Sequence, residues 1–484
     1  MNWTFGNRKN SSELQDDELT HLVENVKVRQ FTRASHDDTA FVAYKLRYVL
    51  FLVAIAVSAA VVPGPSTQFV KLTFFAGKYG GGDCQVTPKA DACRRASSDA
   101  AVYHGIAGAI SHSVAWLSAL TLGSFSDRHG RRPILLAAAM LSFLSRISLA
   151  SHLLGMTSLW VFLIVEPVLT IFDVHGVFLA VMNDVIRDPK QRIIANSVTM
   201  GVMFASGGMA GLLGGALPAK SAVTLSLALG SLQIMFLMSI FPETVPARLR
   251  GGLEDISQDA LNIRDLMRDS AHLLSKSPFA HRMTLVLVFS SLSATGFQNT
   301  FVPYLAAYLG FTQHENGHLM VACGVSIVVA FFLGMKNLLS LFGEIYSMRL
   351  LLALKVVFYL LCAVAWTAPQ IFLVHFLLVG PVVLNIPIMA AIQSNLAGEE
   401  EQGRMQGILT AVKVLATAFG EIVFAGFYRY STSGGANPNR ISALPGIFVA
   451  VALAMIAFML ASGLDPRGVS KNLDDPGELS LAAL

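Results

Sequence analysis

Ionisable side chains inside apolar runs are the residues of this chain whose types could do chemistry. The stretch "VEPVLTIFD", Val165 to Asp173, sets Glu166 and Asp173 inside a run from Ser158 to Val181 that is otherwise almost wholly apolar. On a helix, a spacing of seven puts both carboxylates on one face, ~10 Å apart along the axis. Groups of this kind suit proton carriage, because protonation removes the charge that the apolar surroundings penalise. Arg146, in the preceding run, can hold one acid ionised and leave the other to titrate. The alternative is an Arg146–Asp173 pair that only joins two helices. Glu166 is the sharper proton candidate, since no basic residue is evident at its depth. His175 points almost the other way from Asp173. Lys413 and Glu421, eight apart, roughly share a face and suit either a stabilising pair or a transport role. His112, Gln233, Gln298, Asn299 and Asn385 sit at depths suited to lining a small-solute cavity. His112 has a satisfied core histidine as its alternative, and His375 adds one more titratable group.

The elements that must position these residues follow from composition. The chain has 484 residues, 54% hydrophobic and only 14% charged, against about 25% charged in a soluble domain. Blocks such as "LRYVLFLVAIAVSAAVV" and "GIFVAVALAMIAFMLASGL" approach the ~20 residues that cross a hydrocarbon core. A polytopic all-α membrane protein is expected, with lipid bilayer around it and no nucleic-acid partner, since the net charge is only +4 and the basic residues are spread over many short loops. No cysteine–histidine spacing suggests a metal, and no cofactor is expected. Cys84 and Cys93 share one polar loop and are equally open to a disulfide or to free thiols. Cys323 and Cys362 read as small packing residues.

About twelve spans are predicted, near 47–70, 101–123, 133–153, 158–182, 194–217, 221–241, 283–308, 317–336, 348–367, 369–393, 405–428 and 443–463. The longest charged connection divides them six and six. The organisation expected is a disordered cytoplasmic tail over 1–45, a six-helix half over 46–242, a central cytoplasmic loop over 243–282 with a surface helix or a solvated linker, a second half over 283–464, and a cytoplasmic tail over 465–484. The first apolar run starts too late for a signal peptide. With the N-terminus inside, the even-to-odd loops carry most arginines, as the positive-inside rule expects. The loops "NDVIRDPKQRIIANSV" and "NLAGEEEQGRMQGILT" echo each other, the weak internal symmetry that repeat-built transporters leave in sequence.

Between the second and third spans stands "GSFSDRHGRRPIL", Gly123 to Leu135. It resembles the signature loop of the major facilitator superfamily, G-x-L-a-D-r-x-G-r-k-x-x-l, with Phe125 at the one departing position. The resemblance implies twelve helices in two halves and a loop that latches them during conformational exchange. That role falls to Gly123, Asp127, Gly130 and Arg131, with Arg128 and Arg132 anchoring the loop and Asp184 and Arg192 as ion partners. The matching loop of the second half, around Gly334–Arg349, lacks the aspartate. The run Glu399 to Tyr428, with Glu401, Gln402, Gly403, Gln406 and Gly407 in place, is similar to tetracycline-type proton antiporters and their eukaryotic relatives. Glu421 stands where their proline follows a glycine. "SGGMAGLLGG", Ser206 to Gly215, approaches a second antiporter pattern, with Gly211 for its proline; its glycines permit close helix packing.

The expected function is secondary active transport of a small organic solute by alternating access, proton-coupled and in the efflux direction, by a monomer in a plasma or internal membrane. The alternatives are a proton-coupled importer or an uncoupled facilitator of a metabolite or organic anion, and a non-transporting membrane sensor of the same fold. An enzyme is not expected, because none of the short catalytic motifs appears.

Overall fold

The computed structural model describes residues 46–169, 181, 185, 189–244, 278–394, 402–433 and 444–464; over 118–129, 189–197, 393–394, 402–407 and at 433 it describes the backbone only. The described chain is helical. Its helices are α1 (Leu46–Tyr79, interrupted at Val62 and Pro63), α2 (Asp91–His129), α3 (Arg131–Leu153), α4 (Leu159–Leu169), α5 (Pro189–Ala216) and α6 (Ala219–Ser239). The second set is α7 (Pro278–Tyr304), α8 (Gln313–Val329), α9 (Met335–Val364), α10 (Ala368–Val383), α11 (Gln402–Ser433) and α12 (Pro445–Ser462). A short helix, Asn385–Ser394, continues from α10. Among the described residues nine helical stretches are long and apolar enough to cross a membrane. This is an integral, multi-pass, all-α membrane protein.

Several helices run past the predicted spans. α1 reaches Tyr79 rather than residue 70, and α2 starts at Asp91 rather than 101. The hydrophobic pattern marks the lipid-buried part of a helix, while a helix in a bundle extends beyond it wherever neighbours satisfy its backbone. The helix of the predicted fourth span is described only to Leu169. Asp173, His175 and Asp184 lie outside the described residues, as do both tails and 245–277 of the central loop.

Two internal prolines show how the bundle repairs its own backbone. Pro63 has no N–H to give the carbonyl of Ala59, and Ser226 of α6 donates to that oxygen at 2.5 Å. Pro167 likewise frees the carbonyl of Leu163, which accepts from the Tyr103 hydroxyl of α2 at 2.8 Å. In hydrocarbon an unmet carbonyl costs several kcal/mol, so each proline fixes which polar side chain must stand beside it.

Cys84 and Cys93 form a disulfide that closes the loop between α1 and α2. That end of the bundle is called the disulfide end below, and the opposite one the Gly130 end. At the Gly130 end two glycines turn the chain with positive φ: Gly130 between α2 and α3 (φ 99°) and Gly343 within α9 (φ 70°). An L side chain is strained at either position. Two of the large apolar clusters follow chain order. Val49, Leu52, Ile134, Leu135 and Phe236 pack together from α1, α3 and α6; Met283, Met348, Leu352 and Ile388 do so from α7, α9 and the helix after α10.

Candidate functional site

The first six helices meet the last six along two seams, α2 on α11 and α5 on α8, which are the most extensive helix packings among the described residues. The α5–α8 seam is built on small residues. A Cβ at Gly215 would lie 2.7 Å from the Cα of Gly317, and one at Gly208 would lie 3.3 Å from that of Gly324. Glycine at these positions is therefore what lets the two backbones touch. Gln313 at the start of α8 donates to the carbonyls of Gly214 and Leu217 at 2.8 and 2.7 Å. These contacts run from the disulfide end toward the middle of the helices.

The α2–α11 seam carries charge. Glu421 of α11 is buried and its Oε2 accepts from Asn299 Nδ2 of α7 at 2.5 Å. Its Oε1 lies 3.8 Å from His112 Nε2 of α2. Gly108 makes the notch for it: a Cβ there would stand 2.8 Å from the carboxyl carbon. One turn on, Gly105 faces Ala425, and at the disulfide end the Ser97 and Tyr428 hydroxyls meet at 3.2 Å. Thus two of the five residues predicted to line a cavity, His112 and Asn299, meet at an acid that the sequence left between a structural and a transport role.

A second charged group joins α1, α2 and α4. Lys71 Nζ donates to Glu166 Oε2 at 2.6 Å and lies 5.3 and 5.2 Å from the ring centroids of Tyr103 and Phe162. The Tyr103 hydroxyl also reaches Glu166 Oε2 at 3.3 Å. His104, on the next position of α2, is within electrostatic reach of Lys71, Glu166 and His112. The premise that Glu166 has no basic residue at its depth is therefore corrected. The predicted first span stops at residue 70, and the helix runs on to Tyr79 and carries Lys71 to the acid.

The remaining candidates separate. Arg146 is buried on α3 beside Gln233 of α6, and its Nη1 has no hydrogen-bond partner among the described residues. Gln298 is exposed on α7. Asn385 is buried; its amide nitrogen reaches Met389 Sδ at 3.2 Å, and its Oδ1 has no partner among the described residues. Lys355, absent from the sequence-based candidates although it interrupts the apolar run "LLLALKVVFYLL", is buried on α9 and donates to the backbone carbonyl and hydroxyl of Ser290 at 2.7 and 3.1 Å.

At the loop between α2 and α3, Gly130 allows the carboxylate of Glu243 to approach the start of α3, where Oε1 accepts from Arg131 N at 2.8 Å and Oε2 from Arg132 N at 3.1 Å. A carboxylate at a helix N-terminus is favoured by the unpaired N–H groups and the helix dipole. The Arg132 guanidinium donates to the carbonyls of Leu237, at 2.6 Å, and Met238 at the end of α6. Arg349 of α9 does the same for Ala461, at 3.0 Å, and Leu464 at the end of α12. The second half thus keeps the arginine clasp although its loop lacks the aspartate. The side chains of Asp127, Arg128 and Arg192 lie outside the described residues, and Gly123 is described as backbone within α2.

The fold as a whole is found among solved transporters. The crystal structure of the human organic anion transporter MFSD10 (TETRAN) superposes with a TM-score of 0.62 at 18% identity, covering 87% of this chain and 99% of that one. The nucleoside transporter NupG superposes at 0.56 with 14% identity over 87% and 99%. A POT family transporter in complex with 5-aminolevulinic acid does so at 0.58 with 12% identity over 86% and 94%. The chain has the major facilitator fold. No protein-family model matches the sequence, and no curated protein matches it either. In this structure α2, α5, α8 and α11 lie at the meeting of the six-helix groups, and Glu421 is a buried acid at that meeting.

Proposed function

We propose that this protein is a proton-coupled secondary transporter of a small organic solute, working by alternating access, with Glu421 as the proton-carrying carboxylate. The observation that carries the reading is the place of Glu421: on α11, in a notch of α2, and hydrogen-bonded to α7. Separating α2 from α11 changes the surroundings of this one acid more than those of Glu166, whose cation Lys71 stays within the first six helices. An ionised carboxylate in hydrocarbon is expensive unless paired or wet. Its protonation and the opening of the seam are therefore linked, and linkage of this kind is reciprocal: opening the seam to one side favours release of the proton there. Glu166 takes the role of a positioning acid, held by Lys71 and Tyr103. Solved proteins of the same fold are named for an organic anion, for nucleosides and for a complex with 5-aminolevulinic acid, and that range supports a small polar organic solute.

The test uses the purified full chain in proteoliposomes, with labelled 5-aminolevulinic acid, uridine and fluorescein as probes. An imposed pH gradient should drive accumulation of at least one probe in the parent protein. Glu421→Gln should abolish the driven accumulation and keep solute-for-solute exchange. Driven accumulation unchanged in Glu421→Gln removes Glu421 as the carrier, and probe flux that ignores the gradient in the parent protein identifies an uncoupled facilitator.

A further inference from the structure

Away from both seams, a cavity of about 200 Å³ lies between α1, α3 and α6. Leu52, Ala56, Ala139 and Leu135 give it apolar walls, and Ser142, Gln233 and Arg146 give it polar ones. Arg146 is 9% exposed, its Nη1 is buried with no hydrogen-bond partner among the described residues, and the residue belongs to the cavity lining. Gly230 of α6 and Phe143 hold the group in place: a Cβ at Gly230 would lie 2.8 Å from Nη1 and 3.0 Å from Phe143 Cδ2. A guanidinium stays charged at any physiological pH. Buried in a membrane helix, that charge costs several kcal/mol unless something meets it. Five donors in a planar fork match a carboxylate, which can accept two parallel bonds.

The size and walls of the cavity narrow the choice. A dry apolar cavity of about 150 Å³ accommodates benzene, so 200 Å³ admits a ring carrying one small polar group. Four alanines line the space, and the hydroxyl of Ser142 and the amide of Gln233 share the lining with Arg146. We propose that this cavity is a binding site for a small aromatic or branched monocarboxylate, with Arg146 as its anion-binding residue. The site lies within the first six helices, separate from Glu421, so a bound acid would act on how α1, α3 and α6 pack and need not be the solute carried across the membrane.

The test is titration of 4-fluorobenzoate into the full-length, detergent-purified protein, followed by ¹⁹F NMR, with 4-fluorobenzamide and oleate as comparison ligands. Saturable binding of the benzoate is expected, with the neutral amide at least tenfold weaker and oleate failing to displace it. Arg146→Gln should lose at least tenfold in affinity. Arg146→Lys should recover part of that loss, because it keeps the charge without the fork. Ala56→Leu, which leaves Arg146 alone and fills the space, should lose binding too, so the conclusion does not hang on whether one variant folds. Four outcomes overturn the proposal: no saturable binding to the parent protein, equal affinity for the amide, retained affinity in both Arg146→Gln and Ala56→Leu, or binding that appears only after Asp173→Asn. The last would assign the guanidinium to the aspartate predicted as its helix partner.

Discussion

The two seams hold equivalent places and are built from opposite materials. Where α5 crosses α8, glycine meets glycine: Gly208 with Gly324 and Gly215 with Gly317, with Met320 covering Gly211. Where α2 crosses α11, the glycines of one helix receive the side chains of the other, and one of those is the carboxylate of Glu421. Close backbone packing is indifferent to pH and strong only while shapes match. A buried acid has an energy that depends on its proton. One seam is thus fitted for mechanical closure and the other for sensing a chemical potential, although similar glycine spacing opens the way for both.

The comparison can be broken first at the glycine seam, where the largest effect is expected. Gly215→Val forces a side chain into the space occupied by Gly317, and overpacking costs typically 1–3 kcal/mol, a 5–150-fold shift between closed and open populations. Hydrogen–deuterium exchange over residues 208–217 and 313–324 should rise accordingly; unchanged protection would mean that the stripe does not hold the halves together. Next comes Glu421→Gln at the charged seam. One proton per solute across one pH unit supports about tenfold accumulation, and the variant should bring that ratio to about one. A matching loss of driven accumulation in Gly215→Val with exchange intact would erase the distinction drawn between the seams.

Two smaller effects away from the seams sharpen it. Tyr103→Phe leaves the Leu163 carbonyl, freed by Pro167, without its donor and removes a hydrogen bond to Glu166. A loss of about 0.5–1.5 kcal/mol is expected in thermal unfolding, with the coupling ratio kept. Glu243→Gln removes the charge at the start of α3 and keeps one acceptor oxygen, so one of the two bonds from Arg131 N and Arg132 N is lost with it. About 0.3–1 kcal/mol is expected at low salt, shrinking as salt is raised. A Glu243→Gln effect that persists unchanged in high salt would show that the lost hydrogen bond, and not the charge, holds that helix end.

Much of the fold was legible, for a definite reason. A bilayer punishes every unpaired backbone group, so the apolar blocks had to be helices, and "GSFSDRHGRRPIL" marked the turn between two of them through Gly130. Helix ends were less legible. The predicted first span ends one residue short of Lys71 because hydropathy sees burial in lipid, not hydrogen bonding, and the helix runs to Tyr79. The candidate site was read in pieces. His112, Asn299 and Glu421 each stood out as polar in an apolar run, but nothing in their spacing said that α2, α7 and α11 converge. Glu243 gave no signal at all, since an acid just after a helix looks like any other loop charge.

By itself the sequence determined the chemistry available in each helix and the turns between helices, because hydropathy, proline and glycine act over a few residues. Only the tertiary structure decided partners. Lys71 meets Glu166 across 95 positions, and Asn299 meets Glu421 across 122. Such pairs are chosen by which helices cross and at what depth, and that choice is made by the packing of glycine against whatever faces it, a property of two helices at once.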